Sequence, residues 1–428
     1  MVKTICNNKL LYALWLVLVL IISIGVTTNA VLSLAAFALF LIAALFMSAS
    51  DAIVLLIALM PYANIFKLGA GSTSLFTLCE LFLVLLLVYK RKTLNGSLLV
   101  SLSVMLAYVL LSSIDSINVM LIIKVLLNFM LVHYSISFIG KNDVKNIVYL
   151  LSFGTLIMML LSLNEGYLEY LFPYYEDLNY SIDSSGSVTD ILRASGFLGD
   201  PNYCAVLIIS VLALMSVLYY YKDIGLEFWL ISIPLATTGI YTYSKSYFLC
   251  LVVLTVLLIV FVLFPKHKAW ACLSIIAFSV LAALILKEEF EVFNVLFERF
   301  ESDDLTTGRT GLNDEYLEYI FSDIKVMLFG EGITVDRYDG AINNVHNIYI
   351  ELLFKMGFVG ITVYLAAWYA ALNLVSKKQV NIKRKFVNYM PLLFLAVMFF
   401  FLAGITDYSL PFYVIIAVLS CNYNRFCA

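Results

Sequence analysis

Four residues in this sequence combine reactive side chains with positions in or beside polar stretches: Arg193, Lys245, Arg309 and His346. A guanidinium presents a planar fork of donors that matches two phosphate oxygens, and an ammonium binds phosphate as a point charge. An imidazole can accept a proton near neutral pH. These residue types therefore predict a site that binds an anion, phosphate above all, with a base beside it.

Each of these residues also has a plainer interpretation. Arg193 lies among seven acidic residues in the stretch 164–200, and Arg309 lies in the stretch 287–345, where fourteen acidic residues face five basic ones. Both arginines could be salt-bridged by neighbouring carboxylates. His346 could simply hydrogen-bond the start of the helix that follows it. The residues alone leave both interpretations open.

Local sequence signals place these side chains at the ends of helices. Asp200-Pro201-Asn202 predicts an N-cap followed by proline in the first helical turn. Apolar residues recur with helical period between 312 and 329, which predicts a surface helix directly after Arg309. Its stripe consists of Leu312, Tyr316, Ile320, Ile324 and Met327.

Charges inside apolar runs are costly unless they are paired or hydrated, so each is a candidate for function. Lys124 and Lys355 lie inside such runs. Glu351 precedes Lys355 by one helical turn, which predicts an ion pair between the two side chains. Gly357 and Gly360 would allow a neighbouring element to approach closely.

The elements that carry these residues are membrane helices. Of 428 residues, 63% are hydrophobic and 13% are charged, and the mean hydropathy is +0.98. A spanning helix needs about 20 apolar residues, and continuous apolar runs favour helices over barrel strands. We predict an all-α, polytopic integral membrane protein of about twelve to fourteen transmembrane helices, in the apolar runs 10–27, 31–48, 52–66, 73–89, 96–113, 118–139, 146–163, 201–220, 226–243, 246–264, 269–286, 346–375, 387–405 and 409–421.

The distribution of basic residues predicts the orientation. Threading the runs from an inner N-terminus places sixteen Lys and Arg residues on the inner side and eight on the outer side, as the positive-inside rule requires. Both termini are then cytoplasmic and the two long loops face outward. No basic patch on the outer face supports nucleic-acid binding. The predicted division of the chain is helices over 1–163, a first long loop over 164–200, helices over 201–286, a second long loop with a surface helix over 287–345, and helices over 346–428.

Three stretches in this order resemble the superfamily of O-antigen polymerases and O-antigen ligases, which are bacterial inner-membrane glycosyltransferases. They are Arg193-x-x-Gly196-Phe197-x-x-x-Pro201-Asn202, Thr242-x-Ser244-Lys245-Ser246, and Gly308-Arg309 leading to Phe329-Gly330-x-Gly332 and His346-Asn347-x-Tyr349. The resemblance covers roughly residues 190–375. Lys245 departs from it, because the family often has arginine there.

The resemblance implies transfer of a glycan from undecaprenyl diphosphate at the periplasmic face, without a cofactor or a catalytic metal. Arg193, Lys245 and Arg309 would bind the diphosphate, and Arg309 would also stabilise the leaving group. His346 would act as the catalytic base. Asn202, Asn347 and Tyr349 would orient the substrate, while an acidic helper such as Asp200 or Glu331 is conceivable.

Three functions remain open at this point. A polymerase would extend a lipid-linked repeat unit. This function is favoured because the motifs are diluted, and polymerases of this family diverge strongly in sequence. A ligase would transfer the glycan to lipid A-core. A non-enzymatic flippase or transporter of the lipid-linked oligosaccharide would be expected to have short loops and a cation-lined central cavity. The partners implied are the lipid-linked oligosaccharide and the lipid bilayer, with a chain-length regulator and a flippase as further candidates and no nucleic acid.

Overall fold

The computed structural model is helical almost throughout. It describes residues 8–28, 30–68, 74–91, 96–112, 119–162, 181–182, 188–189, 194–260, 309–335, 337–338, 344–373, 382–402, 404, 409–421 and 423. The predicted helix 269–286, most of the first long loop and nearly half of the second lie outside these residues.

The helices of the N-terminal part are short to medium in length. They are α1 (Asn8–Thr28), α2 (Ala30–Phe46), α3 (Ala49–Leu59), α4 (Leu75–Arg91), α5 (Gly96–Ser112), α6 (Val119–Phe138) and α7 (Lys141–Ser162), and a 3₁₀ turn over Met60–Tyr62 extends α3. After them, the described part of the first long loop forms a two-residue antiparallel pair, β1 (Ser181–Ile182) with β2 (Val188–Thr189).

The helices of the C-terminal part carry most of the candidate residues. They are α8 (Pro201–Tyr220), α9 (Glu227–Ile240), α10 (Lys245–Leu258), α11 (Arg309–Ser322), α12 (Ile324–Phe329), α13 (Ile348–Asn373), α14 (Ile382–Met398) and α15 (Leu410–Cys421), and a 3₁₀ turn over Phe399–Phe401 follows α14.

Helix α8 lies at the centre of the bundle. It packs against α7, α9, α10, α14 and α15, and most of its side chains are buried. Every described residue of α3 from Asp51 to Leu59 is buried as well. These two helices are apolar on all sides, as expected of helices surrounded by other helices.

The outer helices show the apolar surface that a bilayer requires. In α1, for example, Leu16, Leu20 and Ile24 are exposed, although leucine and isoleucine are among the residue types most often buried in water-soluble proteins. Three described helical segments have the length and composition to cross a membrane, namely Lys141–Leu161, Pro201–Tyr220 and Ile348–Ala370. Nine shorter apolar helices accompany them in the described part of the chain. The predicted all-α, polytopic fold is confirmed.

The bundle has two ends that can be told apart by their contacts. At one end, here named the site end, the Phe197 ring lies 5.7 Å from Tyr62, and the Phe76 ring lies 5.4 Å from Phe412. Tyr413 donates a hydrogen bond to the Tyr203 carbonyl there, at 3.0 Å. The starts of α4, α8 and α15 and the end of α3 therefore meet.

At the other end, here named the opposite end, a polar cluster forms around Asp223. Lys141 Nζ lies 2.6 Å from its carboxylate, Tyr423 donates a hydrogen bond to it, and Lys145 donates one to its backbone carbonyl. The start of α7, the end of α8 and the chain beyond α15 thus meet there. Helices α7 and α8 therefore run in opposite directions, as the threading of the apolar runs predicts.

Candidate functional site

The start of α8 is built as its sequence predicts. The Asp200 carboxylate accepts a hydrogen bond of 2.6 Å from the Asn202 N–H, and Pro201 occupies the first helical turn. Proline suits this position because the first backbone N–H groups of a helix have no partner inside it. The N-cap prediction for Asp200 is confirmed, and this contact accounts for the carboxylate without any role in catalysis.

Helix α10 begins with a serine cap that reaches α8. Ser244 accepts a hydrogen bond from the Tyr247 N–H at 3.4 Å and donates one of 3.1 Å to Asn202 Oδ1. Its hydroxyl also lies 2.9 Å from that of Ser246. The side chains of Asn202, Ser244, Ser246 and Tyr247 are all buried. Asn202 is thus held by Ser244, which belongs to the second of the three stretches that carry the resemblance.

The backbone joins the same two stretches a second time. The Ala194 N–H donates a hydrogen bond of 3.0 Å to the Tyr241 carbonyl. Gly196 has φ +57°, and a Cβ there would lie 2.6 Å from the Met158 methyl carbon. Glycine tolerates this conformation and this approach, whereas a residue with a side chain would not. Two of the three stretches that carry the resemblance therefore form one unit at the site end.

Of the cations predicted for this unit, the structure describes the side chain of one. Lys245 is half-buried at the first position of α10, next to the Ser244 cap. Arg193 directly precedes Ala194 but lies outside the described residues. Asn202 and Lys245 are therefore positioned by the same serine, while Arg193 remains a prediction from sequence.

The third stretch forms two helices where one surface helix was predicted. Asp323 interrupts the apolar stripe, since its carboxylate accepts a hydrogen bond from the Lys325 N–H and caps α12. Tyr316 and Ile320 on α11 are buried as predicted, but Ile324 is 70% exposed and Val326 is buried instead. An aspartate in a short-range cap competes with helix continuation. Here it shifts the buried position from Ile324 to Val326, two residues along the chain.

Helices α11 and α12 pack on the first half of α13 through a small core of their own. It consists of Tyr316, Ile320, Val326, Val345 and Phe354. The Tyr338 ring stacks on Tyr319 at 4.4 Å, and Tyr319 donates a hydrogen bond to Glu331.

Burial is the main cause that raises the pKa of the Tyr316 phenol above its ordinary value. Tyr316 is therefore neutral at physiological pH.

Two glycines allow the backbone of this surface segment to pack closely against a break in α13. Gly330 has φ +73° and Gly357 has φ +57°, and each backbone lies against the other segment. The Glu331 and Gly332 N–H groups donate hydrogen bonds of 2.9 and 3.0 Å to the carbonyls of Phe354 and Lys355. The close approach predicted for Gly357 is confirmed, and its partner is backbone.

A tyrosine from α5 fastens the same joint from the other side. The Tyr108 hydroxyl lies within hydrogen-bond reach of the Phe329 carbonyl, at 2.6 Å, and of the Met356 carbonyl. A Cβ at Gly360 would lie 2.3 Å from this hydroxyl, so Gly360 makes room for the tyrosine. Sequence reasoning missed Tyr108, because nothing in the pattern of α5 distinguishes it from an interfacial anchor.

His346, Asn347 and Tyr349 lie together where α13 begins. His346 is half-buried in the bend before the helix. Asn347 is buried and caps the helix, since its Oδ1 accepts hydrogen bonds from the Tyr349 and Ile350 N–H groups at 3.0 and 3.4 Å. The Tyr349 hydroxyl donates a hydrogen bond of 2.8 Å to the Ala396 carbonyl. Asn347 and Tyr349 therefore anchor the segment that presents His346.

Arg309 is the first residue of α11, where helix N-terminal amides favour an anion. The structure describes its backbone and not its side chain, so its predicted role in binding diphosphate remains a prediction.

One turn further into α13, the predicted ion pair is present. Lys355 Nζ lies 3.0 Å from the Glu351 carboxylate, and the two side chains are only 4% and 5% exposed. Glu351 also accepts a hydrogen bond from the Gly404 N–H. Through Glu351 the pair ties α13 to the chain between α14 and α15.

Fold and site together define a polytopic helical membrane protein with two groups of polar candidate residues, one at the starts of α8 and α10 and one at the start of α13. Residues 230–365 match the family model described as O-antigen ligase. This match confirms the predicted relationship to the superfamily of O-antigen ligases and polymerases. No curated protein and no solved structure matches the chain.

The matched segment contains most of the candidate residues. Lys245, Arg309, His346, Asn347 and Tyr349 fall within it. Arg193 and Asn202 precede it, but the hydrogen bond from Ser244 to Asn202 connects the start of α8 directly to the matched segment.

Proposed function

We propose that this protein is a polymerase of O-antigen or of a related surface polysaccharide. It transfers a growing glycan from undecaprenyl diphosphate to a sugar hydroxyl at the non-reducing end of another lipid-linked repeat unit. The reaction takes place at the periplasmic face of the bacterial inner membrane, with both termini in the cytoplasm, and it uses neither a cofactor nor a metal. The observation that carries this proposal is the union of the first two motif stretches through Ser244 and Asn202, at the site end.

The proposed reaction exchanges one bond at the anomeric carbon. The acceptor hydroxyl oxygen attacks this carbon, its proton passes to the His346 imidazole, and the bond to the diphosphate oxygen breaks. Arg193, Lys245 and Arg309 bind the diphosphate and stabilise the charge that develops on it as it leaves. Lys245 is the best supported of the three, because the Ser244 cap holds the start of its helix.

The contacts of Asn202, Asn347 and Tyr349 refine their predicted roles. Each side chain is hydrogen-bonded to the protein, with partners Ser244, the α13 N–H groups and Ala396, respectively. We propose that they act by fixing the ends of α8 and α13, and that substrate contact falls to the neighbouring Lys245 and His346.

A ligase is the second candidate, because the matching family model is described as O-antigen ligase. The two functions differ in the acceptor alone, so the proposed chemistry at the anomeric carbon is the same. A polymerase has two lipid-linked substrates, whereas a ligase has one lipid-linked donor and lipid A-core as acceptor.

The first prediction tests the proposed base. His346→Ala should leave the surface glycan capped by a single repeat unit, without a ladder of longer chains on a gel. A ligase with this substitution would instead leave lipid A-core bare while long lipid-linked polymer accumulates. A normal ladder at normal membrane levels of the variant would refute the role of His346.

The control for this experiment is His267→Ala, in a second histidine that the charge distribution places on the cytoplasmic side. Its ladder should match that of the wild type. An immunoblot of the membrane fraction establishes that both variants are present at equal levels.

A further inference from the structure

A second group of charged residues lies at the site end, outside the matched family segment. Glu80 on α4 and Lys124 on α6 each lie five residues after the start of their helix, which places both about 7.5 Å below the helix ends. The two helices pack against each other, and the two charges interact electrostatically. Lys67 lies in the turn that leads into α4, and its ammonium also interacts electrostatically with that of Lys124.

The turn that holds Lys67 is well defined. Lys67 pairs with Ser74 as an isolated antiparallel bridge, and the Leu75 N–H donates a hydrogen bond of 2.9 Å to the Phe66 carbonyl. The Lys67 ammonium donates a hydrogen bond of 2.8 Å to Asn64 Oδ1. The lysine is therefore held in the turn between α3 and α4, two helices that both pack against α6.

The charges in this group are not satisfied by one another. Glu80 is 3% exposed, and its Oε1 has no hydrogen-bond partner among the described residues. Lys124 is half-buried, and within the described part of the chain no carboxylate lies within ion-pair distance of its ammonium. Charges at this depth that lack partners cost several kcal/mol, and they mark functional sites more often than structural ones.

The environment of Lys67 indicates which charge would satisfy the group. Burial, and secondarily the charge of Lys124, lower the pKa of the Lys67 ammonium. An anion between the two lysines would offset both effects. Both ammonium groups are positively charged, which favours an anion as their shared ligand.

The geometry points to a second phosphate-binding site, formed by Lys67 and Lys124, that takes the diphosphate of a lipid substrate. The inference rests on the proposed polymerase function, since only that function requires two lipid diphosphates at one face. Lys245 would then bind the diphosphate of the donor and the lysine pair that of the acceptor.

The two sites face the same compartment. Tyr62, three residues into the helical turn before Lys67, packs on Phe197, close to the start of α8. Phe76, at the start of α4, packs on Phe412, and Tyr413 beside it is hydrogen-bonded to the start of α8. A chain of contacts thus connects the lysine pair to the segment that holds Asn202.

The test counts bound lipids on the purified full chain by native mass spectrometry, with undecaprenyl diphosphate as the probe. Wild type should bind two molecules per chain at saturation. Lys67→Met with Lys124→Met should bind one, with affinity at the second site reduced roughly 10- to 100-fold, as expected for the loss of charge-assisted hydrogen bonds. Lys245→Met should also bind one, and the triple variant none.

Lys90→Met is the matched control, because Lys90 lies at the opposite end of the same helix α4 and donates its hydrogen bonds to the Ala44 and Met47 carbonyls. It should bind two molecules. The lipid retained by the Lys67 and Lys124 double variant shows that this variant is folded.

Competitors separate the possible sources of phosphate. A tenfold excess of phosphatidylglycerol or of inorganic pyrophosphate should displace the second bound lipid far less than a tenfold excess of undecaprenyl diphosphate does. Equal displacement by phosphatidylglycerol would mean a site for ordinary lipid headgroups, and equal displacement by pyrophosphate a site for free phosphates. Either result would overturn the acceptor role, as would two lipids on the double variant or one on wild type.

The binding count does not depend on turnover, so the two proposals can fail separately. A normal glycan ladder from His346→Ala would refute the polymerase mechanism and leave the count unchanged. A normal count on the double variant would refute the lysine site and leave the result for His346 unchanged.

Discussion

At the scale of single residues, Asp200 allows a sharp distinction between a cap and a catalytic acid. Its carboxylate caps α8, and an asparagine side chain can cap equally well. Asp200→Asn should therefore retain the glycan ladder, whereas Asp200→Ala should lower the stability by about 0.5–2 kcal/mol. Thermal unfolding of the purified variants measures the second effect. Loss of the ladder in a stable Asp200→Asn variant would instead assign the carboxylate to the chemistry.

The buried pair of Glu351 and Lys355 gives a second residue-scale prediction. Glu351→Gln leaves the Lys355 charge without its partner in an apolar surrounding, and should cost about 3–5 kcal/mol. Replacing both residues, as Glu351→Leu with Lys355→Met, should cost much less, because no charge stays buried alone. Melting temperatures in detergent compare the variants. Equal losses in the single and the double variant would contradict this account.

Sequence reasoning was most successful for residues whose partners are near in the chain. The Asp200 cap and the pair of Glu351 with Lys355 follow from spacings of two and four residues, which helix geometry converts directly into contact. The hydrogen bond between Ser244 and Asn202 spans 42 positions, and the contact of Tyr108 with Phe329 spans 221. Such distant pairs depend on how whole helices pack, which a single sequence does not encode locally.

At the scale of elements, the joint between α12 and α13 depends on two glycines. Gly357→Ala would place a Cβ 2.4 Å from the Leu328 carbonyl carbon in a conformation with positive φ, and should cost more than about 1–3 kcal/mol. Gly330→Ala should have a similar effect. Thermal unfolding of the purified protein is the measurement.

Gly311 is the control for this prediction. It lies in the neighbouring helix α11, where a Cβ would meet nothing within 4 Å. Gly311→Ala should therefore leave the melting temperature unchanged or raise it, since alanine favours a helix by up to about 1 kcal/mol over glycine. If Gly357→Ala were as harmless as Gly311→Ala, the break in α13 would not depend on glycine.

The same region shows why element boundaries were harder to predict than element types. The apolar period from Leu312 to Met327 correctly predicts helix, but the pattern hides the interruption at Asp323. Similarly, α13 reads as one apolar run, and its break at Gly357 becomes visible only from the backbone that docks there. Tertiary contacts decided both features.

At the scale of the whole molecule, the site end should face outward. In a cysteine-free background, Leu68→Cys should react with a membrane-impermeant maleimide added to intact spheroplasts, because Leu68 is exposed at that end. Leu226→Cys, exposed near the opposite end, should react only after the membrane is permeabilised. The reverse pattern would place the candidate site in the cytoplasm and rule out the proposed mechanism.

The opposite directions of α7 and α8 were predictable from the apolar runs, because each spanning run reverses the side on which the chain emerges. The order in which the helices pack was not predictable. The central position of α8 is a case in point, since its composition resembles that of its neighbours.

The contacts of the Tyr108 hydroxyl restrict how the surface segment and α13 can move. One phenol hydroxyl contacts carbonyls of both Phe329 and Met356, while the backbone of Glu331 and Gly332 is bonded to the same turn of α13. The surface segment and the first half of α13 cannot swing apart unless all these bonds break together. Any displacement of the surface segment would therefore be transmitted to the first half of α13, at whose start His346 lies.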